Sequence, residues 1–183
     1  MTESKAEETK QGLKKTRTGE RNEMADMRKA FEEVRNMLSG EQSGHGFDHV
    51  ERVYRLALEL AEKEGADKEI VGLAALLHDS AKELPKDEMR AIMQAHPEYA
   101  QGGEARPTPV WHGICAAILA RTEWGVEDEA ILSAIACHTA GKAGMSKLDK
   151  VVYLADMTSK ERDWPGVGRL RKLELKDLDA AML

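Results

Sequence analysis

Residues 71–82 read VGLAALLHDSAK, and this stretch indicates both the fold class and the functional question. Six apolar residues and one glycine run without interruption, which predicts a segment that is buried on all sides. His78 and Asp79 follow directly. Because burial of a carboxylate without a partner is costly, the interior must offer something that receives an imidazole and a carboxylate side by side.

The composition favours a single helical domain. The chain has 183 residues, enough for a substantial core, and only 4% of them are aromatic. The net charge is −6, whereas a surface that binds nucleic acid is positively charged, so the composition argues against nucleic-acid binding. Cys115 and Cys137 are too few for a disulfide scaffold, and neither a signal peptide nor a membrane span of about 20 apolar residues is present. We therefore expect a cytoplasmic protein without nucleic-acid or membrane partners.

Hydrophobic periodicity divides the chain into a polar tail and one helical domain. Residues 1–23 are highly charged, which predicts a mobile tail, and residues 24–183 form the predicted domain. The prolines and glycines between residues 85 and 109 predict a loop-rich segment. No strand pattern is present, so the predicted fold class is all-α. Apolar positions three and four apart predict helices over residues 24–39, 50–65, 68–82, 112–125, 128–138 and 145–156, with short helices at the end.

Four further polar residues lie on apolar helix faces. Alone, such a histidine is more often a satisfied core residue, and such an aspartate is more often a cap or a paired charge. Together with His78 and Asp79, however, they would charge the core at a prohibitive cost. A divalent metal neutralises carboxylates and accepts imidazole lone pairs, so the pattern predicts a metal centre. The four residues are His49, His112, His138 and Asp156.

The same residues carry a resemblance to a known family. His49 in HVERVYRLA, HD at residues 78–79 and Asp156 in YLAD resemble the HD-domain metal-dependent phosphohydrolases, over about residue 24 to the C-terminus. Longer runs are similar to the YqeK-like branch, the symmetrical bis(5'-nucleosyl)-tetraphosphatases, which cut diadenosine tetraphosphate into two ADP. The resemblance implies an enzyme, an HD-domain helical bundle and a homodimer. The runs are AALLHDSAK, HGICAAILA, AILSAIACHTAGKAGMSKLDKVVYLADM and ERDWPGVGRLRKL.

The resemblance implies a role for each matching residue. Asp79 would bridge two metal ions, and Asp79 and Lys82 would be catalytic. The mixed nitrogen and oxygen donors favour iron, or else manganese, cobalt or zinc, over calcium and magnesium. The implied metal ligands are His49, His78, Asp79, His112, His138 and Asp156. The implied substrate-binding residues are Lys82, Thr139, Asp149, Lys150 and Arg162.

Three features depart from the family pattern or leave alternatives open. Ala140 replaces a frequent second threonine, and Thr158, Ser159 and Lys160 replace the Ile-Glu-Pro of the run AD-x-IEP-x-R. His45 either supports the metal ligands or lies at the surface. One alternative is therefore an HD-type nucleotidase or phosphodiesterase for another nucleotide, such as a monophosphate or an alarmone. The other is a non-enzymatic di-metal helical protein, although that class uses Glu-x-x-His pairs, which are absent from this ligand set.

Overall fold

The described chain is all-α, as the sequence predicts. A computed structural model describes residues 32, 34, 36, 46–100 and 102–183, and it places no strand among them. The predicted tail, His45 and most of the helix predicted from residue 24 lie outside the described residues. Glu32, Val34 and Asn36 of that helix are helical, and Val34 is buried.

The described residues form helices in close agreement with the periodicity. Every helix within the described ranges is too short or too polar to serve as a membrane span. The α-helices are α1 (Gly46–Glu64), α2 (Lys68–Leu77), α3 (Lys86–Ala95), α4 (Pro97–Ala100), α5 (Trp111–Thr122), α6 (Glu129–Cys137), α7 (Lys147–Thr158), α8 (Val167–Glu174) and α9 (Leu178–Ala181). Two 3-10 turns, Gly103–Ala105 and Thr108–Val110, connect α4 with α5.

Helix α2 lies in the middle of the bundle because its sequence is apolar on every face. It packs against α1, α5, α6 and α7, and Leu76 and Leu77 are fully buried. Burial of each leucine contributes about 2 kcal/mol. Gly72 permits a close approach to α1, since a Cβ there would lie 2.9 Å from Tyr54 Cε2. The last turn of α2 is therefore deeply buried, and His78 follows it.

Side-chain caps set where the helices of the candidate site begin. Asp67, the predicted cap of α2, accepts a hydrogen bond from the backbone nitrogen of Glu69 at 2.9 Å. Asp128 caps α6 in the same way. Ser146 and Asp149 form a capping box at the start of α7. Each cap contributes about 1 kcal/mol and fixes the register of a helix whose other end carries a predicted metal ligand.

The predicted loop-rich segment is wrong in its first half, where the structure has α3. Pro85 directly precedes this helix, a position where proline is tolerated because the first helical N–H groups have no partner within the helix. Met89 and Met93, four residues apart, are buried, and α3 packs against α5. The prolines on either side mark the ends of a helix, and the described residues between α3 and α5 form only the short α4 and the two 3-10 turns.

One arginine of α8 anchors the loop that follows α7. The guanidinium of Arg171 donates to the backbone carbonyls of Thr158, Ser159 and Arg162, each at 2.7 Å. Glu174 is buried beside Thr158, whose hydroxyl lies 2.9 Å from both of its carboxylate oxygens. Burial raises the pKa of Glu174 to about 7. These contacts fix the backbone path of the loop.

Candidate metal centre

His78 and Asp79 stand at the buried end of α2. This helix ends at Leu77, before the predicted end at Lys82, and the chain turns at His78. The ring Nδ1 of His78 donates to the carbonyl of Ala75 at 2.7 Å. Because a carbonyl only accepts, the proton lies on Nδ1, and Nε2 of the neutral ring keeps its lone pair. His78 and Asp79 are 0% and 2% exposed.

His138 repeats this arrangement at the end of α6. Its Nδ1 donates to the carbonyl of Ile135 at 2.7 Å, which again leaves Nε2 for the interior. His112, in the first turn of α5, brings its own Nε2 within 3.1 Å of His138 Nε2. The hydroxyl of Thr139 lies 3.0 Å from His138 Nε2. Two imidazole lone pairs that face each other at this separation repel unless a proton or a cation lies between them.

His49 enters from α1 with a carboxylate partner that the sequence analysis did not identify. Its Nδ1 is hydrogen-bonded to Oε1 of Glu161, in the loop after α7. Its Nε2 lies 3.0 Å from Asp156 Oδ1 and 3.6 Å from Asp79 Oδ2. Burial opposes a charge on this ring, but the carboxylates of Asp156 and Glu161 outweigh it and raise the pKa of His49. The surroundings of Nε2 therefore attract a positive charge.

Asp79 lies between two pairs of histidines. Its Oδ2 is 3.6 Å from His49 Nε2 and 3.5 Å from His78 Nε2. Its Oδ1 is 3.3 Å from His112 Nε2 and 3.5 Å from His138 Nε2. Asp79 forms one group of possible metal ligands with His49 and His78 and a second with His112 and His138, and within each group the ligand atoms lie within 4.8 Å of one another. One carboxylate thus joins two adjacent groups of donors, as a bridging ligand does in a two-metal site.

Asp156 adds a second carboxylate on the His49 side. Its Oδ1 accepts a hydrogen bond from Arg162 Nη2 at 2.6 Å. Burial alone would raise the pKa of Asp79 and of Asp156, but without metal the surrounding histidines, as hydrogen-bond donors and in their protonated forms, hold both pKa values well below the ordinary range. Both carboxyl groups are therefore ionised at neutral pH, the state in which a carboxylate binds metal.

The unpaired atoms of this cluster fit a metal ion. His49 Nε2, His78 Nε2 and Asp79 Oδ1 are buried without a hydrogen-bond partner. Such atoms are rare, and each costs about 1–3 kcal/mol. Neutral imidazole nitrogens and carboxylate oxygens are the ligands that divalent transition metals take, so bound metal would satisfy these atoms together.

Two of the predicted substrate-binding residues contact the carboxylates of the cluster. Lys82 Nζ lies 2.6 Å from Asp79 Oδ2, and 42% of the lysine side chain is exposed. Arg162 pairs with Asp156 and is also partly exposed, at 37%. Both cations therefore lie between the buried histidines and solvent. Their roles in substrate binding, like that of Thr139, stay predictions.

Asp149 and Lys150 have other partners in the structure. Asp149 belongs to the capping box of α7, where Ser133 Oγ donates to it at 2.6 Å and Lys142 Nζ lies 3.2 Å away. Lys150 pairs with Asp179 at 2.6 Å. Among the described contacts none joins either residue to the histidine cluster. The substrate-binding roles implied for Asp149 and Lys150 stay predictions, and no contact among the described residues supports them.

Glu161 is the candidate that sequence reasoning missed. It lies in a loop, where no periodicity tells which way a side chain points. One signal was available, because Arg52 follows His49 by three residues and shares its helix face. An arginine on the same helix face as a metal ligand indicates a nearby carboxylate side chain. The sequence does not show which of its many aspartates and glutamates this is.

Gly113→Ala is expected to weaken metal binding by about tenfold, because the added methyl group would displace a ligand. A Cβ at this position would lie 3.1 Å from His138 Cε1 and 3.2 Å from both His138 Nδ1 and the carbonyl oxygen of Ile135. We also expect the free energy of unfolding to fall by about 1–2 kcal/mol. Metal titration and urea denaturation measure the two effects.

Gly168→Ala is the matched control for this prediction. Gly168 lies in α8, and a Cβ there would meet no atom within 4 Å. It should leave metal affinity unchanged and raise the free energy of unfolding by about 0.4–1 kcal/mol. Equal metal affinity in the two variants would contradict the steric role of Gly113.

Comparisons with known proteins agree with this geometry. Residues 46–161 match the HD domain family. The chain is 40% identical to the symmetrical bis(5'-nucleosyl)-tetraphosphatase of Bacillus subtilis, over 83% of this chain and 81% of the relative. It is 36% identical to the protein of the same name from Halalkalibacterium halodurans, over 76% of this chain and 74% of the relative.

A solved structure gives the same result for the fold. It belongs to a protein from Clostridium acetobutylicum described as a predicted HD superfamily hydrolase involved in NAD metabolism. The two share 31% identity with a TM-score of 0.70, over 84% of this chain and 79% of the other. HD domains bind divalent metal, which agrees with the donor set described above. The chain therefore belongs to the HD-domain phosphohydrolase family, in the branch of the symmetrical bis(5'-nucleosyl)-tetraphosphatases.

Proposed function

We propose that this protein is a divalent-metal-dependent phosphohydrolase that cleaves diadenosine tetraphosphate symmetrically into two ADP. The names of its relatives support the substrate, since the chain spans most of the length of both. The observation that carries the chemistry is the position of Asp79, whose two oxygens each face two histidine nitrogens. The metal is expected to be iron, with manganese, cobalt and zinc as alternatives.

The ligands of this proposal divide into two groups joined by Asp79. His49, His78 and Asp156 would hold one ion, and His112 and His138 would hold the other. Two divalent ions in such a site would lower the pKa of a bound water, and their positive charge would offset the negative charge of the phosphate. The backbone carbonyls behind His78 and His138 hold these rings in place before substrate arrives.

Lys82 and Arg162 contribute positive charge at the rim of the cluster. Each pairs with a carboxylate that metal would also engage, Asp79 and Asp156 respectively. Bound metal would share the charge of these carboxylates. Lys82 and Arg162 would contact phosphate oxygens, Lys82 as a compact charge and Arg162 through its planar fork. The hydroxyl of Thr139 donates to a phosphate oxygen beside His138.

Three further properties belong to the proposal. The homodimer rests on the family resemblance, and the cytoplasmic location rests on the composition of the sequence. The division into a tail of residues 1–23 and an HD domain over residues 24–183 rests on charge and hydrophobic periodicity.

Hydrolysis in oxygen-18 water tests the substrate and the cleaved bond together. Water that attacks one of the two middle phosphates should give ADP as the sole nucleotide product, with one label per pair of ADP molecules by mass spectrometry. Protein from which a chelator has removed the metal is the negative control, and addition of iron or manganese should restore its hydrolytic activity. AMP together with ATP would contradict symmetrical cleavage. Turnover of a monophosphate or an alarmone without turnover of diadenosine tetraphosphate would favour the alternative nucleotidase.

A further inference from the structure

Glu161 is hydrogen-bonded to Nδ1 of His49, although it is not one of the six candidate metal ligands. We propose that Glu161 is a positioning residue, which orients the ring of His49 and keeps its Nε2 available to metal. This inference rests on the metal centre of the proposed function and not on the identity of the substrate.

Three donors fix the carboxylate of Glu161. His49 Nδ1 is hydrogen-bonded to Oε1, and Ser159 Oγ donates to the same oxygen at 2.9 Å. Arg52 Nε donates to Oε2 at 2.8 Å. Arg52 lies three residues after His49, so both side chains leave the same face of α1. The carboxylate therefore joins α1 to the loop after α7.

The contact determines which nitrogen of His49 carries a proton. An ionised carboxylate only accepts, so the proton of the neutral ring lies on Nδ1 and the lone pair on Nε2. That lone pair is directed at the space next to Asp79 and Asp156. A histidine that donates to a carboxylate is also a more basic ligand.

The partner of His49 differs in kind from the partners of two other candidate ligands. His78 and His138 donate to the carbonyls of Ala75 and Ile135, which lie in the helices that these two histidines directly follow. Those two rings are fixed as soon as their own helices form. His49 instead depends on a residue from a distant part of the chain, so its orientation requires the loop after α7 to be in place.

The loop after α7, which carries Glu161, is also held by contacts with α8. Arg171 of α8 binds the carbonyls of Thr158, Ser159 and Arg162, which flank Glu161 in the chain. Its planar fork allows several such bonds at once. The backbone that carries Glu161 is therefore anchored independently of the ion pair with Arg52.

Metal affinity in the absence of substrate tests the proposal. Glu161→Ala and Glu161→Gln are loaded with Co²⁺, titrated against a competing chelator, and compared with the native protein by elemental analysis and by the visible absorption of bound Co²⁺. We expect Glu161→Ala to lower the affinity of one site by about 10–100-fold and to change the cobalt spectrum. Glu161→Gln keeps an acceptor for Nδ1–H without its charge, so it should retain more affinity than alanine.

Glu51→Ala is the matched control, because Glu51 forms an exposed pair with Arg55 on the same helix, at 2.6 Å. It should change neither affinity nor spectrum. Arg52→Ala keeps Glu161 in place through Ser159 and should have a smaller effect than Glu161→Ala. Thermal unfolding of the metal-free variants, expected to match the control, separates positioning from loss of fold.

The possible results test the role of Glu161 separately from the identity of the substrate. Native affinity and spectrum in both Glu161 variants would overturn it, and so would a native protein that binds no Co²⁺. A native protein that binds Co²⁺ but does not cleave diadenosine tetraphosphate would overturn only the proposed substrate, and the affinity series would still decide the role of Glu161.

Discussion

Asp79→Ala is expected to abolish metal binding and hydrolysis together. The Asp79 carboxylate faces four imidazole nitrogens at 3.3–3.6 Å and would serve both ions. Its loss takes an oxygen donor and a negative charge from each group of ligands. We expect kcat to fall by at least about 10³-fold and bound metal to fall below about 0.2 ion per chain. Elemental analysis after incubation with iron or manganese, together with initial rates, measures both.

Asp87→Ala is the control for the loss of an aspartate. Asp87 is 94% exposed on α3, where it pairs with Arg90. It should keep native metal content and native rate. An Asp79→Ala protein that kept two ions per chain would contradict the bridging role, and one that kept the native rate would contradict the proposed mechanism.

Lys82→Ala is expected to separate rate from metal content. Lys82 contacts Asp79 but offers no lone pair to metal while it is charged, so its loss should leave the ions bound. It should lower kcat/KM by about 10²-fold, because a cation beside the phosphate stabilises charge in the transition state. Steady-state kinetics on diadenosine tetraphosphate and elemental analysis of the same preparation provide the two readouts.

Two further variants sharpen this comparison. Lys82→Arg keeps the charge on a different geometry and should fall between the native protein and alanine. Lys68→Ala removes an exposed lysine that pairs with Glu62, and it should behave as native. Full turnover by Lys82→Ala would show that the lysine only neutralises Asp79, and loss of metal would show that the ion pair shapes the site.

The sequence predicts the interior of the helices well, because burial there follows periodicity. The spacing of His138 and Asp156 from apolar residues on their own helices placed both on core faces, and the structure has them beside the other candidate ligands. The cost of burying six such residues together grouped them as one metal centre, and the resemblance added that two ions share them with Asp79 as the bridge. Periodicity alone states a face and cannot state the distance between two helices.

Features that depend on contacts between distant segments were not predictable in this way. Glu161 reaches His49 from a loop, and no pattern in the sequence links these two residues. Helix α3 was missed because its flanking prolines suggested irregular structure, although Met89 and Met93 have helical spacing. Asp149 has a structural role that the sequence also indicated, since Ser146 three residues before it is typical of a capping box, while the substrate role implied by the resemblance stays a prediction.

The candidate ligands lie in or directly after five helices, α1, α2, α5, α6 and α7, and in sequence only His78 and Asp79 are neighbours. An unfolded chain therefore holds no strong chelating group, and an ion binds the native state almost alone. By mass action, free metal at 100 times its dissociation constant adds about 2.7 kcal/mol to the free energy of unfolding. The supply of metal then governs how long each molecule survives proteolysis as well as how fast it works, because a starved population spends more time unfolded.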